Sequence, residues 1–354
     1  MAADLTLLAL PGDGIGPEIM ASTLAVLEAA QPMLSRKVSV RRAEVGFAAL
    51  EASGTTLPDD VIVMAREADG VILGPVSHNA YPPREAGGIN PSGVLRSSLE
   101  LFANIRPARG WAGVPRPVAQ DFDLVVVREN LEGFYADRNM VSGPGEMMVE
   151  PGVAIALRKI TAKASTRIAK AAFALAERRG DTRVTAVHKA NVMRLSDGLF
   201  LECVRKVASD YPAITYDELL VDAAAAHLVR HPDRFGVIVT TNMFGDILSD
   251  LASELSGGLG LAGSLNLGPE AAMAQAQHGS APDIAGQDKA NPTSLILSLA
   301  MLLQHLGERT AAAEIERAVG HCLSDVSTRT ADLGGKLGTQ AFTRAVTDRI
   351  SQQS

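Results

Sequence analysis

Five short apolar runs constrain this chain more than any other feature: LTLLAL (5–10), DGVILG (69–74), DLVVVREN (123–130), RVTAVHKAN (183–191) and GVIVTTN (236–242). Each reads as a buried strand. Helical patterns separate them, over 17–30, near 91–102, over 153–179 as one long Ala-rich helix, near 196–209, over 223–230 and in MFGDILSDLASEL (243–255). ITYDELLVD (214–222) lies ahead of the 223–230 helix, and a glycine-rich connection spans 257–268. The end is helical again, over 292–306, 310–323 and 338–350. Alternating strands and helices make the fold class α/β. At 354 residues the chain is too long for one ordinary core, so about two domains are expected.

The ends of these runs are polar: Arg128 and Glu129, Lys189 and Asn191, Asn242. The carboxyl edge of an α/β sheet is where ligands usually bind. A single polar residue there can be a loop residue facing water; repetition at several strand ends points to a site. Composition narrows the ligand. The formal charge is −7 with no Lys/Arg-rich block, which argues against nucleic acid. No run of about 20 apolar residues offers a membrane span. The opening MAADLTLLALPGDG has no basic region, and its apolar stretch is too short for a secretory signal. Two distant cysteines, Cys203 and Cys322, fit a reducing, cytoplasmic setting and give no disulfide framework.

Five groups of residues could carry chemistry. PGDGIGPE (11–18) suggests a phosphate loop, but its third glycine comes one residue too early for G-x-G-x-x-G. No Lys-Ser/Thr follows, so a structural turn with Pro17 starting a helix is favoured. Arg96, Arg106 and Arg128 could grip a di- or tricarboxylate through bidentate bonds, or could be surface arginines. Tyr135 could serve as a general acid, and Lys189, at the end of an apolar strand, suits proton transfer; each could also be structural. Asp246 and Asp250 stand four apart in FGDILSD, on one helix face. With Asp222 they offer oxygen ligands for Mg²⁺ or Mn²⁺; the alternative is a solvated first helical turn. His227 and His231 lack the intervening Glu of a zinc helix and read as an ordinary helix end. HGSAPDIAGQDKAN (278–291) is a long turn-rich loop that could wrap a nucleotide, with Asp283 on ribose hydroxyls.

Taken together, LFANIRP, VRENLEGFY, HKANV, VDAAAAHLV, TTNMFGDILSDLAS and HGSAPDIAG resemble the isopropylmalate/isocitrate dehydrogenase family of metal-dependent β-decarboxylating dehydrogenases. The resemblance runs from LPGDGIGPE (10–18) to TADLGG (330–335), nearly the whole chain. It implies the family's own two-domain α/β fold, not a Rossmann fold. One domain would combine 1–104 with 257–354; the other would be 105–256, with a dimerisation arm at about 135–152. It also implies a homodimer with shared active sites, the lysine and one aspartate coming from the partner.

The implied roles are specific. Arg96, Arg106 and Arg128 hold the malate moiety of a 2-hydroxy acid. Asp246 and Asp250, with Asp222 of the other subunit, hold Mg²⁺ or Mn²⁺. Lys189, coupled to Asp222, assists loss of the hydroxyl proton; hydride passes to the nicotinamide, CO₂ leaves, and Tyr135 protonates the enolate. Asn191 lies near the nicotinamide, while His278, Gly279, Ala281, Asp283, Ile284 and Asn291 bind the rest of the cofactor. NADP-using relatives have Lys and Tyr where this chain has Asp283 and Ile284, so NAD is expected.

The substrate-selecting segment EAGGINPSGVLRSS departs from the pattern. Isopropylmalate enzymes place Leu-Leu where Ser92 and Gly93 stand here, and isocitrate enzymes place Ser and Asn where Asn90 and Ser92 stand in swapped order. Gly93 offers no extra arginine of the kind homoisocitrate enzymes can carry in this helix. Relatives also have an acidic residue, Pro and Val before His278, where this chain reads MAQAQ and departs at Gln275 and Ala276. A 3-isopropylmalate-like substrate is favoured by overall pattern; isocitrate, homoisocitrate, D-malate and tartrate remain open. A non-catalytic regulatory subunit is opposed by the presence of Tyr135, Lys189 and all three aspartates.

Overall fold

The computed structural model describes residues 4–135 and 145–351. In chain order the elements are β1 (Leu5–Leu10), α1 (Gly16–Ala30), β2 (Val38–Arg42), α2 (Phe47–Ser53), α3 (Asp59–Glu67), β3 (Gly70–Leu73), α4 (Pro91–Ser98), β4 (Ala103–Arg109) and β5 (Asp123–Glu129). Then come β6 (Glu146–Glu150), β7 (Val153–Ala156), α5 (Ala162–Arg179), β8 (Arg183–His188), α6 (Ser196–Ala208), β9 (Thr215–Leu220), α7 (Val221–Arg230), β10 (Val237–Thr240) and α8 (Asn242–Leu255). The last are β11 (Leu265–Leu267), β12 (Ala272–Gln275), α9 (Thr293–His305), α10 (Arg309–Ser324) and α11 (Thr339–Ser351). The class is α/β, as the alternation requires. Two compact units form: Met1–Leu99 with Trp111–Pro115 and Gly257–Ser354, and Glu100–Gly110 with Arg116–Ser256.

The first unit orders its strands β2-β1-β3-β12-β11. All pairs are parallel except β11 with β12. Helix α9 packs on β12 and against α1 and α10. Its first eight residues, Thr293 to Ala300, are all buried, as expected of a helix apolar on every side.

The second unit orders its strands β4-β5-β10-β8-β9, with only β4 antiparallel. Leu124, Val126, Val187 and Ile238 share a cluster with Leu228, Leu248, Ala252 and Leu255 from α7 and α8. The alternate residues Val125, Val127, Val184, Val237 and Val239 are also buried, and α5 lies against β5, β8 and β10. Helices therefore cover both faces, which is why these strands read as continuous apolar runs. Gly245 lets α8 approach β5: a Cβ there would lie 2.6 Å from Arg128 Cγ.

The single helix expected over 153–179 is not present. Val153–Ala156 is a strand, and the helix begins at Ala162, after Thr161 accepts from the Ala164 N–H at 3.2 Å. Gly152, at φ 84°, turns the chain between β6 and β7, and the alternating Val153 and Ile155 suit a strand. Of the arm expected at 135–152, residues 136–144 lie outside the described residues. The β6–β7 hairpin that follows exposes all its residues, Met147, Met148, Val149 and Ile155 included. Among the described residues no helix is long and apolar enough to cross a membrane.

Candidate active site

In the second unit, β4, β5 and α8 bring four of the expected residues together, and Tyr135 joins them. Arg128 ends β5, and antiparallel β4 sets Asn104 opposite it and Arg106 opposite Val126. Strand β10 leads into α8, whose first residue, Asn242, accepts from Arg128 Nε at 2.9 Å and Nη2 at 2.6 Å. Asn242 in turn donates to the Glu132 carbonyl at 2.9 Å. Arg128 Nη1 donates to Asp246. Arg106 Nη1 donates to Asp246 at 3.3 Å, Ser249 Oγ at 2.7 Å and Asp250 at 3.1 Å. The Tyr135 hydroxyl donates to the other Asp246 oxygen at 3.1 Å, and its ring centroid is 5.6 Å from the Arg128 guanidinium.

The charges are matched but unequally buried. Arg106 and Arg128 are 7% and 3% exposed, whereas the Asp246 and Asp250 side chains are 34% and 50% exposed. Burial and the neighbouring Arg128 charge push Arg106 down to about 10, with Asp246 and Asp250 opposing, so it is still cationic at neutral pH. Two half-exposed carboxylates on one helix face fit a hard divalent cation, which prefers oxygen ligands. The guanidinium pair beneath them fits carboxylates.

A second set forms at the ends of β8 and β9. Lys189 donates to Asp222, in the first turn of α7, and this bond holds the Asp222 carboxyl below its ordinary range. Asp222 thus pairs with Lys189, while Asp246 and Asp250 share Arg106. Among the described residues no three His, Cys, Asp or Glu side chains gather in one metal-holding group. Asn191, just past Lys189, is exposed.

Sequence reasoning did not single out Arg158 and Asp197. The Lys189 backbone N–H donates to Asp197 Oδ2 at 2.6 Å, and Asp197, wholly buried, pairs with Arg158. Arg158 also reaches Ser196 Oγ at 2.9 Å and Thr241 Oγ1 at 3.0 Å, and lies over the Phe134 and Phe244 rings. One buried ion pair therefore touches the neighbours of Lys189, Tyr135 and Asp246. Nothing in local spacing signals it, because Arg158 lies ahead of α5 and Asp197 lies in α6, 39 positions further on.

In the first unit, Asn90 caps α4, accepting from the Gly93 N–H at 3.3 Å. Ser92 Oγ and Arg96 Nη2 both donate to Gln275 Oε1, at 3.1 Å and 3.0 Å. Ser92 and Gln275 are buried, so a neutral acceptor on β12 holds the Arg96 cation without cancelling its charge. In the 278–291 loop, Asp283 is exposed and Ile284 half-buried in a short turn, Pro282–Ile284. Ala281 is left-handed, at φ 37°, and Gly279 is exposed. His278 Nδ1 donates to the Gly279 carbonyl at 2.9 Å, and burial lowers its pKa. Buried Asn291 donates to Asp332 at 2.9 Å and accepts from the Thr293 N–H at 3.0 Å.

Comparison with known proteins places this geometry. Residues 6–350 match the family model described as isocitrate/isopropylmalate dehydrogenase. The chain is 43% identical over 340 residues to a 3-isopropylmalate dehydrogenase of Archaeoglobus fulgidus, covering 95% of this chain and 97% of that protein. It is 42% identical over 345 residues to an isocitrate/homoisocitrate dehydrogenase of Thermus thermophilus, covering 96% and 97%. The crystal structure of an isocitrate dehydrogenase from Methylococcus capsulatus superposes with a TM-score of 0.89 at 40% identity, covering 98% of this chain and all of that one.

Proposed function

The chain belongs to the isocitrate/isopropylmalate dehydrogenase family of oxidative decarboxylating enzymes, and on that footing we propose that it converts a 3-isopropylmalate-like 2-hydroxy acid with NAD and Mg²⁺ or Mn²⁺. The observation that carries this reading is the joining of Arg106, Arg128, Tyr135, Asp246 and Asp250 in one hydrogen-bonded group. Buried guanidinium groups bind substrate carboxylates, with Arg96 as a further cation. Lys189 would relay the hydroxyl proton, giving one of its own to the Asp222 carboxylate as it takes the substrate's. Tyr135 has a phenolic proton to deliver to the carbon that loses CO₂. Asp246 and Asp250, with Asp222 of a second copy, would hold the divalent cation, which would supply Lewis acidity. The exposed Asp283 carboxylate suits two ribose hydroxyls and would repel a 2′-phosphate, so NAD would be the hydride acceptor.

Exposed apolar residues support a homodimer with shared sites. Ile247, between Asp246 and Asp250, is 57% exposed, and Leu195, near Lys189, is 91% exposed. With the apolar β6–β7 hairpin, these surfaces have the character of a protein interface.

The relatives' names span 3-isopropylmalate, isocitrate and homoisocitrate, so similarity leaves the substrate open. The side chains bear on it: Ser92 and Asn90 spend their resting hydrogen bonds on Gln275 and the α4 cap, and neither builds an apolar wall. The test is NAD reduction with Mn²⁺ across 3-isopropylmalate, isocitrate, homoisocitrate, D-malate and tartrate. Highest kcat/KM with 3-isopropylmalate is expected; a stronger tricarboxylate or small diacid would reassign the substrate. No turnover with any of them, despite normal dimers, would favour a regulatory subunit.

A further inference from the structure

The PGDGIGPE turn has no part in the chemistry above, yet it holds Ser280 of the 278–291 loop, directly through Ile15 and through Ser77 on Asp13. Asp13, 5% exposed, accepts from the Phe47 N–H at 2.8 Å, the Ser77 N–H at 2.8 Å and the Tyr81 hydroxyl. Ser77 Oγ lies 2.7 Å from Ser280 Oγ, and the Ile15 N–H donates to the Ser280 carbonyl at 2.8 Å. Gly14 leaves room for that carbonyl: a Cβ would stand 2.0 Å from it. The loop carries two left-handed residues that are not glycine, Ala281 at φ 37° and Asp288 at φ 55°. Such backbone persists only where its surroundings over-determine it. Ala281 adjoins the Ser280 tie. Asp288 is held by the Gln340 N–H at 2.8 Å on its carboxylate and by the Thr339 N–H at 3.2 Å on its carbonyl.

We infer that Asp13 is a positioning residue for the dinucleotide: acting through Ser77 and Ser280, it fixes the backbone on which Ala281 and Asp283 meet NAD. This rests on the cofactor reading of the loop. The buried carboxylate orders Ser77, Ser77 orders Ser280, and the strained turn that follows is ready-made for the ligand instead of being ordered by it.

The experiment titrates NAD and, separately, NADP into the wild-type dimer and into Ser77→Ala, Ser77→Thr and Asp13→Asn by calorimetry, with steady-state kinetics alongside. Ser77→Ala should raise the Kd for NAD about five-fold, the worth of one net hydrogen bond. Asp13→Asn should raise it by about ten-fold or more, since bonds to a charged acceptor are lost. Both should move KM for NAD rather than kcat or KM for the hydroxy acid, the mark of lost binding. Ser77→Thr, which keeps the hydroxyl, should restore affinity. Equal NAD affinity in wild type and folded Ser77→Ala would overturn the proposal, as would parallel losses in both KM values and kcat. If the wild type binds neither dinucleotide, the cofactor reading itself fails and takes this proposal with it.

Discussion

Asp246→Asn separates chemistry from folding at the centre of the site. Asp246 accepts from Arg106 at 3.3 Å, Tyr135 at 3.1 Å and Arg128. The substitution keeps one carbonyl oxygen and turns the other into an amide that cannot accept. Arg128 retains two bonds to Asn242, and Arg106 retains Ser249 and Asp250. Removing one partner of a fully buried ion pair costs about 3–5 kcal/mol. Asp246 is one-third exposed and both arginines keep other acceptors, so about 1–2 kcal/mol is expected. The fold and dimer should survive. Activity should not: losing even an outer-shell partner of a metal ligand costs about 10–100-fold, so losing a direct ligand should cost at least about 100-fold. Initial rates against Mn²⁺ concentration, with Mn²⁺ calorimetry and thermal melts, measure both quantities. Full turnover in a folded variant would refute the metal assignment; an unfolded variant would refute the argument that Asn242, Ser249 and Asp250 suffice to hold the arginines.

Three further outcomes follow from named residues. Burial pushes Glu129 from its ordinary 4.5 up to about 7, against bonds from the Leu131 and Glu132 N–H groups. The folded protein then keeps a proton that the unfolded chain releases, so stability falls as pH rises from about 4.5 to about 7, by about 3 kcal/mol in all. Glu129→Gln should flatten that slope in urea midpoints taken from pH 5 to 8; parallel slopes would show that Glu129 does not titrate there. Asp283→Lys should lower kcat/KM for NAD by about ten-fold or more through loss of ribose contacts, and shift preference toward NADP; unchanged NAD kinetics would remove Asp283 from the cofactor site. Lys189→Ala and Asp246→Asn dimers, each inactive, should recover about a quarter of wild-type activity once mixed and re-equilibrated, because half the dimers carry one intact shared site. No recovery despite subunit exchange would place both residues in one subunit's site.

The strands most legible in the sequence are those whose both faces are covered. DLVVVREN, RVTAVHKAN and GVIVTTN read as strands because α5 lies on one side and α7 and α8 on the other. The i, i+4 spacing of Asp246 and Asp250 likewise became a shared helix face, on which Arg106 reaches both. Legibility failed where composition imitated the wrong period. The alanines of α5 extended a helical reading back through Val153–Ala156, across a strand opened by left-handed Gly152. LFANIRP hid β4, because an arginine and a proline interrupt its apolar character while its pairing with β5 supplies the ladder. β11 and β12 were too short, at three and four residues, to show any period. The Arg158–Asp197 pair was invisible for a different reason: burial of opposite charges is a product of tertiary packing. Gln275 stood out as a departure, but only its geometry shows it grasping Ser92 and Arg96 together.

The most direct test of the account is to count products in one vessel. With the best substrate of the panel, reduced NAD and released CO₂ should appear in equal amounts, both stopping when EDTA is added and both resuming with excess Mn²⁺. Reduced NAD without CO₂, or turnover that continues undiminished in EDTA, would contradict a cation-dependent oxidative decarboxylation at Asp246 and Asp250.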